Sequence, residues 1–323
     1  MSEPYITHNH IAAFAKDSVN LREDHVKDYR EQVRNLRERL DKHIAENPDY
    51  SLVKMLHSGS VRKGTALKTV NDMDVAVYVR AADAPTEESD LLNWLTERLR
   101  EAYKNLNRDQ INPQTHCVTI SFSGSGLDVD VVPVIYEDGA DNRGFLITKD
   151  TGDRVLTSVS LHLEFIRRRK NDHPFHFAQF VRLVKWWARL KKRTSDSFRF
   201  KSFMVELICA HLVREGLDPS DYPAGLEAFF LYVVQTGLKE RVYFTDYYKS
   251  SELPPRADSG VIEIFDPVNP KNNVAHRYSV AERDEIIEAA HDALDALVEA
   301  HHATTQERAL DMWKSVLGPS FKV

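Results

Sequence analysis

Apolar and polar positions recur with two different periods along this chain, and the change of period divides it. Residues 20–46 set Leu21, Val26, Val33, Leu36 and Leu40 among many charges, the spacing of one helical face. That spacing predicts a long amphipathic helix packed across the back of the elements next in the chain. Residues 53–57 lead into the turn Ser58-Gly59-Ser60, and 60–68 predict a short helix whose N-terminal amides face a cleft. From Asp72 to Val79 the period drops to two, which predicts a β-strand with Asp72 and Asp74 on one face. A break at 81–88 precedes an amphipathic helix over 88–105. Two strands come after it, 115–122 and 127–135, joined as a hairpin by Ser123-Gly124-Ser125-Gly126. From residue 159 onward the period is helical, over 159–169, 175–192, 199–215, 223–236, 280–301 and 304–316. Pro223, Pro254-Pro255 and Pro267 to Pro270 punctuate this half. The fold class expected is α+β, with a sheet lobe over 1–155 that includes the long helix and a helical lobe over 156–323.

Composition narrows the class of protein. A chain of 323 residues, 42% apolar and 28% charged, is long enough for one large core or two packed lobes. No run approaches the roughly eighteen apolar residues that a membrane span needs. The opening Met1-Ser2-Glu3-Pro4 has neither a basic nor an apolar leader region, so secretion and membrane association are not expected. Cys117 and Cys209 make no disulfide framework and read as buried thiols in a reducing cytoplasm. A net charge of −6 and a pI near 6.2 argue against stable binding of long DNA or RNA. The charge is uneven, however: Leu161 to Lys201 holds twelve Lys or Arg and three Asp or Glu, an excess of nine positive charges. Such a segment suits a cleft for triphosphates, and a solvated helical surface accounts equally well for its residues one by one.

The acids carry the chemistry. Leu127-Asp128-Val129-Asp130-Val131-Val132-Pro133-Val134 repeats the alternation, so Asp128 and Asp130 share a face while Val129 and Val131 face the core. Unpaired acids on an apolar strand cost several kcal/mol of desolvation, roughly, so at least one should meet a cation or a basic side chain. Three carboxylates from two neighbouring strands can hold two divalent ions about 4 Å apart for in-line phosphoryl or nucleotidyl displacement. Oxygen ligands of this kind suit Mg²⁺ or Mn²⁺. Glycine in the Gly59-Ser60 turn admits close phosphate approach, with amides and the Ser60 hydroxyl as donors. Arg62 and Lys63 stand close enough to that turn to approach phosphates. Lys185 sits among Phe180, Leu183, Val184 and Trp187, where a lysine can equally well snorkel. Phe203 reads as a packing ring or a base-stacking ring. His57, His116, His211 and His276 show no ligand spacing.

Gly59-Ser60, then Asp72-Met73-Asp74-Val75, then Val129-Asp130-Val131-Val132-Pro133 resembles the signature of the polymerase β-type nucleotidyltransferases. The resemblance implies a bilobed fold with a central cleft and makes Asp72, Asp74 and Asp130 the catalytic metal ligands, two Mg²⁺ or Mn²⁺ per site. Asp130 takes the third position, rather than Asp128, because it directly precedes Val-Val-Pro, as in the oligoadenylate synthetase branch. Phe180 to Trp187 resembles the helix of cyclic GMP-AMP synthase-like enzymes whose lysine, here Lys185, reaches the donor triphosphate. Lys201-Ser202-Phe203-Met204-Val205-Glu206-Leu207 is similar to the next helix, where a serine touches phosphate and an aromatic ring stacks on the base, here Ser202 and Phe203. Ile264 to Val274 resembles the Asp-Pro…Asn-Asn-Val element of this branch, with Asp266 and Asn273 bracing the cleft floor.

The resemblance spans residues 50–280 and points to the bacterial CD-NTases. It implies a cytoplasmic enzyme that binds ATP or GTP and makes cyclic di- or trinucleotides in anti-phage signalling. The partners implied are ribonucleoside triphosphates and a product-activated effector protein, and a monomer is expected. A transferase making linear oligonucleotides, or modifying an RNA 3′ end, a protein or a small-molecule hydroxyl, is the alternative. Two departures stand out: the zinc-ligand cluster of the animal DNA sensor is missing, and Phe203 replaces a frequent tyrosine, which keeps stacking and loses a hydroxyl.

Overall fold

The computed structural model describes residues 4–47, 52–69, 72–85, 90–137, 139–147, 152–257 and 261–323, with the side chains of Asp72 and Asp83 outside that description. In chain order, helix α1 (His8–Phe14) runs into a π-helical turn (Ala15–Val19) and is followed by α2 (Glu23–Glu46), β1 (Leu52–Ser58), α3 (Gly59–Lys63), β2 (Asp72–Arg80) and α4 (Leu91–Ala102). Strands β3 (Ile111–Pro113), β4 (Val118–Phe122), β5 (Leu127–Tyr136), β6 (Gly144–Ile147) and β7 (Arg154–Thr157) come next. Helices α5 (Val159–Asp172), α6 (His176–Thr194), α7 (Ser202–Arg214), α8 (Tyr222–Thr236), α9 (Val280–His301) and α10 (Gln306–Leu317) complete the chain. Two compact units result: Leu21–Arg167, and Met1–Asn20 together with Arg168–Val323.

The first unit is built on a seven-stranded sheet in the order β1-β2-β5-β4-β3, with β6 pairing β5 and β7 pairing β6. β2 and β5 run parallel through a continuous register from Asp72 opposite Asp128 to Arg80 opposite Tyr136, and their neighbours pair antiparallel. Odd-numbered Val75, Val77, Val79, Val129 and Val131 are fully buried in one core with Val33, Leu36, Leu40 and Ile44 of α2 and with Leu91, Leu92, Leu95 and Leu99 of α4. The strand period then turns the even-numbered residues to the opposite face. There Ala76, Tyr78 and Val134 pack with Val159, the first residue of α5. Asp74 of β2 and Asp128 and Asp130 of β5 head these two even-numbered rows, on the face away from α2 and α4.

Helix α3 is shorter than its expected 60–68 because Gly64 adopts a left-handed conformation (φ 75°) that closes the helix with Schellman-type bonds to Ser60 and Val61. The 88–105 helix is observed as α4, and residues 86–89 lie outside the description.

The second unit is helical. Its core gathers Trp187 of α6 against Phe198 and against Phe230 of α8, the last pair with centroids 4.8 Å apart. Phe14 of α1 meets Trp186 and Phe321 edge-on, which ties the chain's opening helix into this unit. α9 begins with a capping box, Ser279 accepting from Glu282 N–H while the Glu282 carboxylate accepts from Ser279 N–H. Much of the positive excess predicted for 161–201 is internally paired. Arg169 makes a bidentate contact with Asp246 at 2.6 and 2.7 Å, and Arg199 pairs with Glu282 at 3.3 Å.

Candidate active site

One cross-strand row organises the site in the first unit. In register across β1, β2, β5 and β4 stand Ser58, Asp74, Asp130 and Thr119, two carboxylates flanked by two hydroxyl residues. Adjacent strands are ~4.8 Å apart, so the two acids are held side by side by backbone pairing. Both are half-buried. Thr119 Oγ1 donates a 2.6 Å hydrogen bond to Asp130 Oδ1.

Gly59 fits against this row at the end of β1. Its φ is 73°, and a Cβ built on it would lie 1.7 Å from Asp74 Oδ2. The Asp74 carboxylate therefore occupies the space that any other residue would fill, directly beside the first turn of α3. Two separate demands, backbone conformation and space, select glycine here.

The preceding row pairs Asp72 with Asp128 and Asp128 with Ser121. The Asp72 backbone opens β2, and its side chain lies outside the described groups. Among the described residues Asp128 takes no hydrogen bond or ion pair, whereas Asp130 is oriented by Thr119 and faces Asp74 across the strand pair. Cys117, just before β4, shares this environment. Burial, with the Asp130 and Asp74 carboxylates nearby, pushes its thiol up to about 12 against a lowering hydrogen bond from Thr119.

Beyond the row, on the same face, lies a cavity of about 170 Å³. Ser58, Gly59, Lys63, Ala76, Val132 and His162 are among the residues that line it. Arg62 has a different setting. It is one of three arginines, with Arg30 and Arg37, whose positive charge adds to burial in holding the neighbouring His57 down at about 4. His57 shares the parity of the buried Met55 on β1, so it stands on the face opposite the acids.

Three further candidates belong to the helical unit. Ser202 opens α7 exposed, and Phe203 is half-buried beside it. Lys185 is only 5% exposed, and its Nζ donates to Glu206 Oε1 at 2.6 Å, both side chains being enclosed. Glu206, one turn into α7, is not among the residues that the sequence patterns pick out. Its four-residue separation from Ser202 within the same helix motif is the available signal.

Asp266 and Asn273 do brace a loop, through local bonds. Asp266 accepts from Val268 N–H at 2.8 Å and from Asn272 Nδ2 at 3.2 Å. Asn273 accepts from Ile264 and Ala275 N–H and donates to Ile262 O.

Among the described residues no group of three His, Cys, Asp or Glu side chains gathers around one point. The Asp74–Asp130 pair nonetheless presents hard carboxylate oxygens at adjacent register positions, a donor set that fits Mg²⁺ or Mn²⁺. No described helix is long and apolar enough to cross a membrane.

A sheet unit and a helical unit of this kind, with the acids on neighbouring parallel strands, define a polymerase β-type nucleotidyltransferase. Residues 6–153 match the Second Messenger Oligonucleotide or Dinucleotide Synthetase domain. Over 322 residues, covering 100% of both chains, the sequence is 49% identical to the cyclic AMP-AMP-AMP synthase of Escherichia coli (strain MS 115-1). It is 31% identical over 323 residues, 98% of each chain, to the CBASS oligonucleotide cyclase CdnC of E. coli (strain KTE188). Solved structures of E. coli MS115-1 CdnC, with ATP and in complex with HORMA-deltaN, superpose with a TM-score of 0.89 at 48% identity over 99% of this chain, and over 100% and 99% of theirs. The chain belongs to the CD-NTase family of cyclic oligonucleotide synthases, with the CdnC proteins among its relatives.

Proposed function

We propose that this enzyme joins ribonucleoside triphosphates without a template into a cyclic trinucleotide second messenger for anti-phage signalling. Cyclic AMP-AMP-AMP, the product named for its 49% identical relative, is the first candidate product. The observation that carries the reading is the Ser58-Asp74-Asp130-Thr119 row with Gly59 closed against Asp74. Like charges on adjacent strands destabilise a sheet, and their retention is accounted for by cations between them.

In this reading Asp72, Asp74 and Asp130 hold two Mg²⁺ or Mn²⁺ ions. Bound there, the ions acidify a ribose hydroxyl and neutralise charge on the departing pyrophosphate. The hydroxyl oxygen of one nucleotide forms a bond to the α-phosphorus of another as the bond to the β-phosphate bridging oxygen breaks. The hydroxyl proton leaves to solvent. The same displacement, with the linear intermediate presented again, closes the ring.

Gly59 and Ser60 let the triphosphate approach the first turn of α3 with backbone and hydroxyl donors. Ser202 meets phosphate, Phe203 stacks on the base, and Lys185 reaches the triphosphate only by exchanging Glu206 for it. The relative solved in complex with HORMA-deltaN suggests a partner of that kind, alongside an effector that responds to the product.

The test is incubation with all four ribonucleoside triphosphates and Mg²⁺ or Mn²⁺, phosphatase treatment and mass spectrometry, beside Asp72→Asn/Asp74→Asn. A phosphatase-resistant cyclic trimer absent from the control is expected. Linear products alone, or the same products from the control, contradict the reading.

A further inference from the structure

We propose that Thr119 is a positioning residue for the third acid: its hydroxyl fixes the Asp130 carboxylate so that the second oxygen is held ready for a divalent cation. The proposal rests on the metal-dependent reading above and extends it to a residue outside the acidic signature. Thr119 stands opposite Asp130 in the antiparallel β4–β5 register, and its Oγ1 donates to Asp130 Oδ1 at 2.6 Å. On its other side Asp130 faces Asp74 across the parallel β2–β5 pair.

An aspartate on a strand has two rotatable side-chain torsions, and its terminal one is broad. Backbone register therefore brings the carboxylate to the right place without fixing the direction of its oxygens. A bond to Oδ1 removes that freedom and leaves Oδ2 with its lone pairs uncommitted to Thr119. The donor is itself stiff, because a β-branched side chain on a strand is restricted at χ1.

The chemistry of the donor matters as much as its position. A lysine or arginine opposite Asp130 would orient the carboxylate equally well while neutralising it, and would compete with a cation for the same oxygens. A neutral hydroxyl orients without cancelling charge. The preceding row supplies an internal contrast: Asp128 stands opposite Ser121, and among the described residues no side-chain hydrogen bond joins them. Between the two acids on this face of β5, Asp130 is the one whose direction is set.

Groups that hold a metal ligand in place typically change metal affinity or activity by about 10–100-fold when removed. The test uses the full chain as wild type, Thr119→Val, Thr119→Ser and Asp130→Asn. Mn²⁺ binding is measured by the electron paramagnetic resonance of free Mn²⁺ in the presence of a non-hydrolysable ATP analogue. Valine keeps the shape and strand preference of threonine and deletes only the donor.

The expected result is Mn²⁺ binding weakened about tenfold or more in Thr119→Val, with an unchanged unfolding temperature and affinity largely restored in Thr119→Ser. The Mg²⁺ concentration for half-maximal pyrophosphate release should rise by a similar factor. Wild-type Mn²⁺ affinity in Thr119→Val, with binding lost in Asp130→Asn, overturns the positioning role alone. Wild-type affinity in Asp130→Asn as well overturns the metal reading beneath it. Should valine prevent folding, Thr119→Ala against Thr119→Ser carries the same comparison.

Discussion

The Asp74–Asp130 row and the Lys185–Glu206 pair handle charge in opposite ways. In the sheet unit two carboxylates of the same sign are set side by side, half-buried, with neutral hydroxyl residues as flanking neighbours. In the helical unit one cation and one anion are sealed together at 2.6 Å with almost no exposure. The second arrangement is paired within the protein. The first sets like charges opposite one another on neighbouring strands, an arrangement that by itself disfavours pairing and that a cation would favour. Two acids beside a glycine that admits a phosphate suit cations and triphosphate directly, whereas the enclosed lysine can meet a triphosphate only by giving up Glu206.

Replacing a charge in each place should separate the two most sharply. Asp74→Asn removes one of the two like charges while keeping the side chain's shape, and the variant should remain folded. Pyrophosphate release should fall about 10³-fold or more, which is ~4 kcal/mol of transition-state stabilisation. Near wild-type turnover by a folded variant would erase the contrast.

Lys185→Met should act the other way. It leaves Glu206 buried without its cation and should cost about 3–5 kcal/mol of stability, most of it regained in Lys185→Met/Glu206→Leu. Urea unfolding reads both variants. If the double variant regains stability and turnover together, the pair is purely architectural; stability without turnover assigns Lys185 to the triphosphate as well.

Gly59→Ala sharpens the comparison at the edge of the row. A left-handed backbone costs a non-glycine residue roughly 1–2 kcal/mol. The methyl group must also displace Asp74 Oδ2, 1.7 Å from where it would stand. Activity should therefore fall by more than the stability loss accounts for, as measured by turnover and unfolding on the same preparation. Equal losses would show that Gly59 serves the backbone alone.

The smallest effect concerns His57, on the other face of the same sheet. Burial and the positive charges of Arg62, Arg30 and Arg37 keep His57 at about 4, below its ordinary 6.5. The unfolded chain then binds more protons between these values. The stability due to neutral His57 is complete above pH 6.5 and is lost as pH falls from 6.5 toward 4. His57→Gln should flatten the decline in urea midpoint across that window, and an unchanged slope would remove this histidine from the account.

Much of this site was legible because a strand's period of two is a local property. It placed Asp128 with Asp130 on one face and assigned Val129 and Val131 to the core, where both are buried. The pairing of β2 with β5 was less accessible. Parallel strands meet through a long connection, so the register that sets Asp130 opposite Asp74, and Thr119 opposite Asp130, is fixed by non-local packing. The role of Gly59 was readable as a close approach, but its neighbour is a carboxylate of the protein itself.

Other elements escaped for want of length. β3 has three residues and β6 and β7 four each, too short to show a period. α1 has seven, and its continuation into a π-helical turn breaks the helical spacing. Lys185 gave an ambiguous signal because its partner lies 21 residues away on the next helix, a distance only packing can close.

In the proposed reaction, metal and triphosphate meet at the Asp74–Asp130 row. The most direct test is an anomalous diffraction map of crystals grown with Mn²⁺ and a non-hydrolysable ATP analogue. Mn²⁺ peaks coordinated by carboxylate oxygens of Asp74 and Asp130, with the triphosphate beside Gly59, are expected. Bound nucleotide with Mn²⁺ peaks away from these two carboxylates, or with none on them, would contradict this reading.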